Sequence, residues 1–285
     1  MKQPAHTLRA LLLLTRPINA LMAAGSVMLG WWTARSPLPP PLALLPAAAA
    51  ALALAFGNVV NDIRDREADR TNHPSRPLPR GDIPLHGAVA FALILACASL
   101  LVILPLRSPL FLLLTAAPLG VLVLYSMHLK GVALGGNATV AALSSYTLLY
   151  GATGGAQYHR LFVPALLVLC ISLLREIIKD LQDCQGDRAS GLRTSAALSV
   201  ATLQRVVGVI TLVYAALLFL PWLRGDFGPV YALGVLAGVV PLGIVRTRLF
   251  FSRSPNWATL SMLCKYEMLA GLLSLGVDEA VARWW

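Results

Sequence analysis

Charged residues are scarce in this chain of 285 residues. They make up 13% of it, against roughly a quarter in an ordinary soluble domain, and hydrophobic residues make up 57%. The apolar runs are continuous and lack the alternation over strand-length segments that marks an outer-membrane barrel. The composition therefore excludes a soluble enzyme and a barrel, and it predicts a helical protein integral to a lipid bilayer.

Cysteine is also rare. The four cysteines lack the paired spacing of a metal site, and we expect them to be reduced. The net charge of +10 would suggest a nucleic-acid partner in a soluble protein. Here the basic residues lie in short connections between apolar runs, where they orient a membrane protein, so no nucleic-acid partner is expected. Nothing in the sequence implies an obligate protein partner.

Nine apolar segments have about the length needed to cross a membrane. We predict spans at 18–34, 41–60, 86–106, 110–127, 135–153, 162–181, 203–223, 230–245 and 256–277. The apolar run before them, Leu11 to Leu14, is far shorter than the roughly 7–15 residues of a secretory signal. It predicts a short amphipathic lead-in to the first span.

The basic residues divide unequally between the two sides of the membrane. If the N-terminus is cytoplasmic, seventeen of the 23, Lys2 among them, lie on the cytoplasmic side, five lie on the other, and Lys265 lies within the last span. Such an excess of basic residues indicates which side of the membrane is cytoplasmic. It places both long polar segments, 61–85 and 182–202, on the cytoplasmic face, where we expect the active site.

Nine of the thirteen acidic residues fall in two clusters. Each cluster contains three aspartates with the spacing i, i+3, i+7, and an offset of 118 residues relates them: Asp62, Asp65 and Asp69, then Asp180, Asp183 and Asp187. The same offset carries Asn58 onto Glu176. We infer an internal repeat, approximately 18–128 and 135–245, within a single domain of residues 1–285 whose ninth helix covers 256–277.

The spacing predicts metal chemistry. On a helix, positions i, i+3 and i+7 fall within about 60° of arc, so each triplet forms a stripe of carboxylates. Two such stripes repel each other unless cations lie between them. Mg²⁺ prefers oxygen ligands and shares its shell with substrate phosphates, so a diphosphate substrate held through Mg²⁺ is predicted. The alternative for a single cluster is a run of solvated carboxylates balanced by neighbouring arginines. The presence of two clusters with the same spacing argues against this alternative.

These motifs resemble the UbiA superfamily of intramembrane prenyltransferases. The segments that show the resemblance are NDIRDREAD at Asn61–Asp69 and REIIKDLQDCQGD at Arg175–Asp187. The resemblance extends to RPIN at Arg16–Asn19, YSMHLK at Tyr125–Lys130, GGN at 135–137 and a lysine in the last span, Lys265. It implies an all-α polytopic fold of nine transmembrane helices around a central cavity, with a cytoplasmic cap and two Asp-rich motifs.

Within the superfamily, the second motif is most similar to the digeranylgeranylglyceryl phosphate synthase branch. That branch transfers a geranylgeranyl group from its diphosphate to the hydroxyl of a prenylglyceryl phosphate, forming an ether lipid. Prenylation of an aromatic or tetrapyrrole acceptor is the alternative enzyme function. A membrane terpene cyclase and a secondary transporter are further alternatives, although the acids of a transporter usually lie near the bilayer midplane.

The resemblance also implies roles for individual residues. Asp65, Asp183 and Lys130 are the expected catalytic residues. The expected ligands of two Mg²⁺ ions are Asn58, Asn61, Asp62, Asp65, Asp69, Asp180, Asp183 and Asp187. Diphosphate contacts are expected from Arg16, Arg76 and Lys130, and substrate contacts from Tyr125, Tyr146, Tyr150, Arg175 and Lys179. Membrane orientation is the alternative role for the three diphosphate-binding cations, and an interfacial or packing role is the alternative for Tyr146 and Tyr150.

Two further expectations concern segments outside the motifs. Segment 70–85 contains four prolines, which argue against a continuous helix, and it is interpreted as a cap over the cavity. The five histidines lie near predicted membrane boundaries and show no ligand spacing, so they are interpreted as interfacial residues.

Overall fold

The computed structural model describes the backbone of residues 4–284 and the side chains of residues 7–284. Lys2, one of the basic residues assigned to the cytoplasmic side, lies outside this range. The described chain is helical and contains no strand. Its α-helices are α1 (Pro4–Thr15), α2 (Pro17–Thr33), α3 (Pro40–Arg64), α4 (Arg66–Asn72), α5 (Leu85–Ile103), α6 (Pro109–Leu124), α7 (Gly135–Gly151), α8 (Phe162–Ala189), α9 (Val200–Leu217), α10 (Leu220–Leu223), α11 (Pro229–Gly234), α12 (Val240–Phe250) and α13 (Trp257–Trp284).

Each of the nine segments expected to span the membrane coincides with one helix or with consecutive helical segments of the chain. Seven of these are long and apolar enough to cross a bilayer, or eight if the bent pair formed by α1 and α2 counts as one span. The remaining helix, α7, has 17 residues and reaches about 25 Å at 1.5 Å per residue. The described part of the chain is therefore that of an integral membrane protein with seven or eight clear spans.

Local sequence explains where several helices begin. Prolines at the first positions of α3 and α6 have no backbone N–H to leave unpaired, which suits the first turn of a helix. The hydroxyl of Ser199 accepts a hydrogen bond from the Thr202 N–H and caps α9. Between α4 and α5, residues 73–84 form turns and bends, so the prediction that this proline-rich segment is not a continuous helix is confirmed.

Two helices have boundaries related by the offset of the aspartate triplets. Helices α2 and α7 each have 17 residues, and their boundaries differ by 118 positions, the offset of the aspartate triplets. The residues directly before them, Arg16 and Leu134, both have a positive φ, at 51° and 63°. Positive φ is uncommon outside glycine, so the two positions share an unusual backbone conformation. The internal repeat itself stays a prediction.

The chain divides into two compact units. The first comprises the described residues up to Met28, together with Leu38–Val132 and Asp183–Arg193. Its centre is the packing of α3 against α5 and α6. Ser99 on α5 donates a hydrogen bond of 2.9 Å to the carbonyl oxygen of Ala49, and Gly57 on α3 lies against Leu122 on α6.

The second unit comprises Leu29–Pro37, Ala133–Gln182 and the described residues from Thr194 onwards. Its core is built from aliphatic side chains of α7, α8, α9 and α13, among them Leu148, Ile171, Val207 and Leu260. A buried ion pair between Arg246 on α12 and Glu267 on α13 lies in the same unit.

Candidate functional site

The junction between α1 and α2 brings Arg16 to the first aspartate motif. The side-chain amide of Asn58 donates to the carbonyl oxygen of Thr15 at 3.0 Å, so the end of α1 is fixed to α3. Arg16 follows, and its Nη2 lies 2.5 Å from Oδ1 of Asp62. The Asp62 side chain is only 4% exposed, and a buried carboxylate needs such a partner.

The second aspartate lies at a break in the helix. Helix α3 ends at Arg64 and α4 begins at Arg66, with Asp65 between them at φ −83° and ψ 0°. The expectation that the first triplet lies on one uninterrupted helix is therefore wrong. The break leaves the Asp65 side chain in an ion pair between its Oδ2 and Nζ of Lys130, whereas its Oδ1 is buried without a hydrogen-bond partner in the described chain.

A wide helical turn positions Lys130. Residues Tyr125–Leu129 form a π-helical turn in which the Lys130 N–H donates to the carbonyl oxygen of Tyr125 at 2.9 Å. Such turns are rare and often occur at functional sites. In the same turn, the hydroxyl of Ser126 donates to Oδ1 of Asn61 at 2.6 Å. The turn thus attaches α6 to the first motif through two side chains.

The third aspartate is paired with an arginine from the proline-rich segment. Nη1 of Arg76 donates to both carboxylate oxygens of Asp69, at 2.8 and 2.7 Å, and lies 3.5 Å from Oδ1 of Asp62. Burial raises the pKa of Asp69 above its usual value, although Arg76 opposes this. Burial works against the charged form of Arg76, but Asp62, Asp69 and Asp183 together hold its pKa above the usual value.

Two aspartates of the second motif belong to the same unit as the first motif. Asp183 and Asp187 lie near the end of α8, within Asp183–Arg193. Nε2 of His73 is 2.9 Å from Oδ1 of Asp183, and Arg76 interacts electrostatically with the same carboxylate. The structure therefore joins the two motifs through residues that follow α4. The contact of His73 with Asp183 was not predicted, because no spacing in the sequence indicated it. The interpretation of His73 as an interfacial residue stays a prediction.

Asp180 has a different environment, in the second unit. Its Oδ2 accepts hydrogen bonds from the Asn137 side chain at 2.9 Å and from the backbone N–H and hydroxyl of Ser195 at 2.9 and 2.7 Å. Asp62, its counterpart in the repeat, instead pairs with an arginine. The two triplets are equivalent in spacing but not in contacts, and Ser195 was not predicted.

The residues expected to contact substrate lie in two places. Tyr125 is buried in the first unit, at the start of the π-helical turn. In the second unit, Tyr146 and Tyr150 stack on α7 with their ring centroids 5.7 Å apart. Arg175 and Lys179 both pair with Glu176, at 2.9 and 2.8 Å. Their expected substrate contacts stay predictions.

The donor set is chemically suited to a hard divalent cation. Carboxylate and amide oxygens are the ligands Mg²⁺ accepts, and the buried, unpaired Oδ1 of Asp65 is a free ligand atom. Among the described residues, however, no three His, Cys, Asp or Glu side chains are arranged to hold a metal ion. In this arrangement the carboxylates instead form ion pairs with Arg16, Lys130, Arg76 and His73. The eight expected metal ligands therefore stay a prediction.

Comparison with known proteins identifies the family. The chain matches the UbiA prenyltransferase family over residues 21–265. It is 36% identical to digeranylgeranylglyceryl phosphate synthase of Halobacterium salinarum over 247 residues, which cover 85% of this chain and 88% of the relative.

Solved structures agree with this comparison. A structure from work on the biosynthesis of digeranylgeranylglyceryl phosphate synthase in membranes matches with a TM-score of 0.74 and 26% identity, covering 96% of this chain and 98% of its own. A UbiA homolog from Archaeoglobus fulgidus, bound to GPP and Mg²⁺, matches in fold with a TM-score of 0.68 at 16% identity, covering 94% and 99%. The resemblance inferred from the aspartate motifs is confirmed, and the chain belongs to the UbiA prenyltransferase family.

Proposed function

We propose that this prenyltransferase transfers a geranylgeranyl group from its diphosphate to the hydroxyl of a prenylglyceryl phosphate, forming an ether lipid. Relatives that are 36% identical over most of the chain bear the name of the synthase for this reaction. The observation that carries the proposal is that Asp183 and Asp187 of the second motif lie in the same unit as the whole first motif, where His73 pairs with Asp183. The same unit supplies the cations Arg16, Arg76 and Lys130.

The proposed placement in the membrane has nine spans and a cytoplasmic active site. The additional span would be the 17-residue α7, which lies between clear spans and is short enough to need little tilt. The excess of arginine and lysine in the connections that carry the motifs supports the cytoplasmic orientation. We further propose that residues 1–285 act as one domain, with a central cavity closed by the segment after α4.

The proposed cofactor is Mg²⁺, as two ions. When bound, Mg²⁺ would neutralise the diphosphate and make it a better leaving group. The proposed ligands are the aspartates of both motifs with Asn58 and Asn61. Asp65 is the strongest candidate ligand because its Oδ1 has no hydrogen bond in the described chain that a metal ion would have to replace. Asp180 is the weakest candidate ligand, since its Oδ2 already accepts three hydrogen bonds.

The three cationic residues are proposed to bind the donor's diphosphate. In the described arrangement, Arg16, Arg76 and Lys130 each hold an aspartate of the first motif. Charge-assisted hydrogen bonds to phosphate would then replace the ion pairs, so that no buried charge loses its partner.

The acceptor is proposed to meet residues of the second unit. Arg175 and Lys179 share one carboxylate, Glu176, so the group of three has a net positive charge suited to an acceptor phosphate. The rings of Tyr125, Tyr146 and Tyr150 are proposed to stabilise the allylic cation by cation–π contact. Apolar walls would exclude water until the acceptor hydroxyl oxygen bonds to the allylic carbon in place of the departed diphosphate, which would take up the hydroxyl proton.

An acceptor comparison tests this function. Purified protein in lipid vesicles is supplied with Mg²⁺ and radiolabelled geranylgeranyl diphosphate, and with one acceptor class at a time. We expect label in lipid only with geranylgeranylglyceryl phosphate. Labelling of an aromatic or tetrapyrrole acceptor alone would contradict the proposal, and so would release of a hydrocarbon without any acceptor.

A further inference from the structure

Asn72, the last residue of α4, joins the first motif to the backbone of the second. Its side-chain nitrogen Nδ2 donates to the carbonyl oxygen of Asp183 at 2.7 Å, and its Oδ1 accepts from the Gly186 N–H at 2.9 Å. A backbone N–H can only donate and a carbonyl can only accept, so these partners fix the orientation of the amide. One side chain thus spans two peptide groups of α8.

The contact between Asn72 and α8 requires a glycine at position 186 of α8. A Cβ atom at Gly186 would lie 2.5 Å from the carbonyl oxygen of Ala68 and 2.5 Å from the side-chain nitrogen of Asn72. The first of these is a backbone atom and cannot rotate away. Helix α4 therefore packs directly on α8 at this point, at a separation that no larger residue permits.

The positions of these residues relate the contact to the candidate site. Asp69 lies one turn before Asn72 on α4, and Asp183 lies one turn before Gly186 on α8. The residue after Asn72, His73, holds the carboxylate of Asp183, while Asn72 holds its carbonyl. Asp183 is thus fixed at both its side chain and its backbone from the end of the first motif.

We propose that Asn72 and Gly186 are positioning residues that set the separation of the two aspartate motifs, an inference that rests on the proposed function. Neither side chain is among the proposed ligands. Residues behind metal ligands orient them, and their loss typically lowers metal affinity about 10–100-fold. The same effect is expected here for the divalent ion that enters with diphosphate.

The test is a binding measurement that does not depend on turnover. Binding of Mn²⁺ in the presence of inorganic diphosphate is followed by electron paramagnetic resonance on the detergent-purified full chain. The variants are Asn72→Ala, Asn72→Asp and Gly186→Ala. Asn72→Asp keeps the acceptor for Gly186 and removes the donor to Asp183, whereas Asn72→Ala removes both groups and adds no charge. All three should bind Mn²⁺ about 10–100-fold more weakly than the unmodified chain.

Two matched controls separate positioning from general damage. Asn256→Ala also deletes a side-chain amide that bonds to backbone, at the Thr259 N–H, and Gly208→Ala adds a methyl group in a helix with nothing within 4 Å. Both should bind Mn²⁺ as the unmodified chain does, and thermal unfolding should show whether each variant is folded.

The outcomes distinguish this inference from the function on which it rests. Folded Asn72 or Gly186 variants with unchanged Mn²⁺ binding would overturn the positioning role and leave the proposed function intact. No Mn²⁺ binding by the unmodified chain would overturn both. If Asn72→Asp does not fold, Gly186→Ala and Asn72→Ala decide the question.

Discussion

Three cationic side chains approach the first aspartate motif from three different parts of the chain. Arg16 comes from the junction of α1 and α2, Lys130 from the π-helical turn after α6, and Arg76 from the proline-rich segment. Clustered carboxylates with little solvent around them would repel one another strongly, so each needs a cation nearby. In the proposed function, the same cations would bind an anion that arrives with its own divalent counterions.

Replacing Lys130 by alanine tests this charge arrangement. Lys130 is the partner of Asp65, and a lost charge contact to a leaving diphosphate typically lowers the rate about 10²–10³-fold. We expect a decrease of that size in the kcat of prenyl transfer, measured with purified protein. The exposed Arg205 on α9 provides the control, because Arg205→Ala removes a cation and should leave kcat unchanged. Equal effects in the two variants would refute a specific role for Lys130.

At the scale of helices, α2 and α7 approach closely at Gly30. A Cβ atom there would lie 2.0 Å from the carbonyl oxygen of Leu148, which belongs to the backbone. We expect Gly30→Ala to destabilise the protein by about 1–3 kcal/mol, measured as a lower thermal midpoint in detergent. Gly25 lies on the same helix with nothing within 4 Å, so Gly25→Ala should be neutral or stabilising by up to about 1 kcal/mol. A loss of stability in both variants would show that the close approach is not the cause.

The contact between α12 and α13 depends on an ion pair away from water. Arg246 and Glu267 are 1% and 0% exposed, and Nε lies 2.6 Å from Oε1. Removing one partner of such a pair typically costs about 3–5 kcal/mol, whereas replacing both by apolar residues is often neutral. Arg246→Met should therefore lower the thermal midpoint, and adding Glu267→Met should restore much of it. A double variant that is less stable than the single one would contradict this account.

The helices and the contacts between them differ in how far the sequence predicts them. Long apolar runs between charges are sufficient to locate α3, α5 and α6, because the bilayer sets their minimum length. The break at Asp65 was not predicted, since a regular i, i+3, i+7 pattern fits an unbroken helix as well. Asn72 bonds to backbone groups of Asp183 and Gly186, whereas His73 and Ser195 bond to aspartate side chains. All three were missed because a contact between residues distant in sequence leaves no periodic signal.

At the scale of the whole molecule, the proposed orientation can be measured directly. In a variant without the four native cysteines, one cysteine is introduced at Arg70 on α4 or at Arg107 between α5 and α6. A membrane-impermeant maleimide should label Arg70→Cys only from the cytoplasmic side and Arg107→Cys only from the opposite side, in vesicles of known orientation. Labelling of both positions from one side would contradict the assignment of these connections, and reversed labelling would contradict the orientation.

The central claim is that both aspartate motifs serve one prenyl transfer to a glyceryl phosphate. The most direct test is mass spectrometry of the lipid formed by purified protein from Mg²⁺, geranylgeranyl diphosphate and geranylgeranylglyceryl phosphate, with the variants Asp65→Asn and Asp183→Asn alongside. The account predicts a phosphate lipid with two geranylgeranyl ether chains from the unmodified protein and almost none from either variant. Full product formation by both variants, or no such lipid from the unmodified protein, would contradict it.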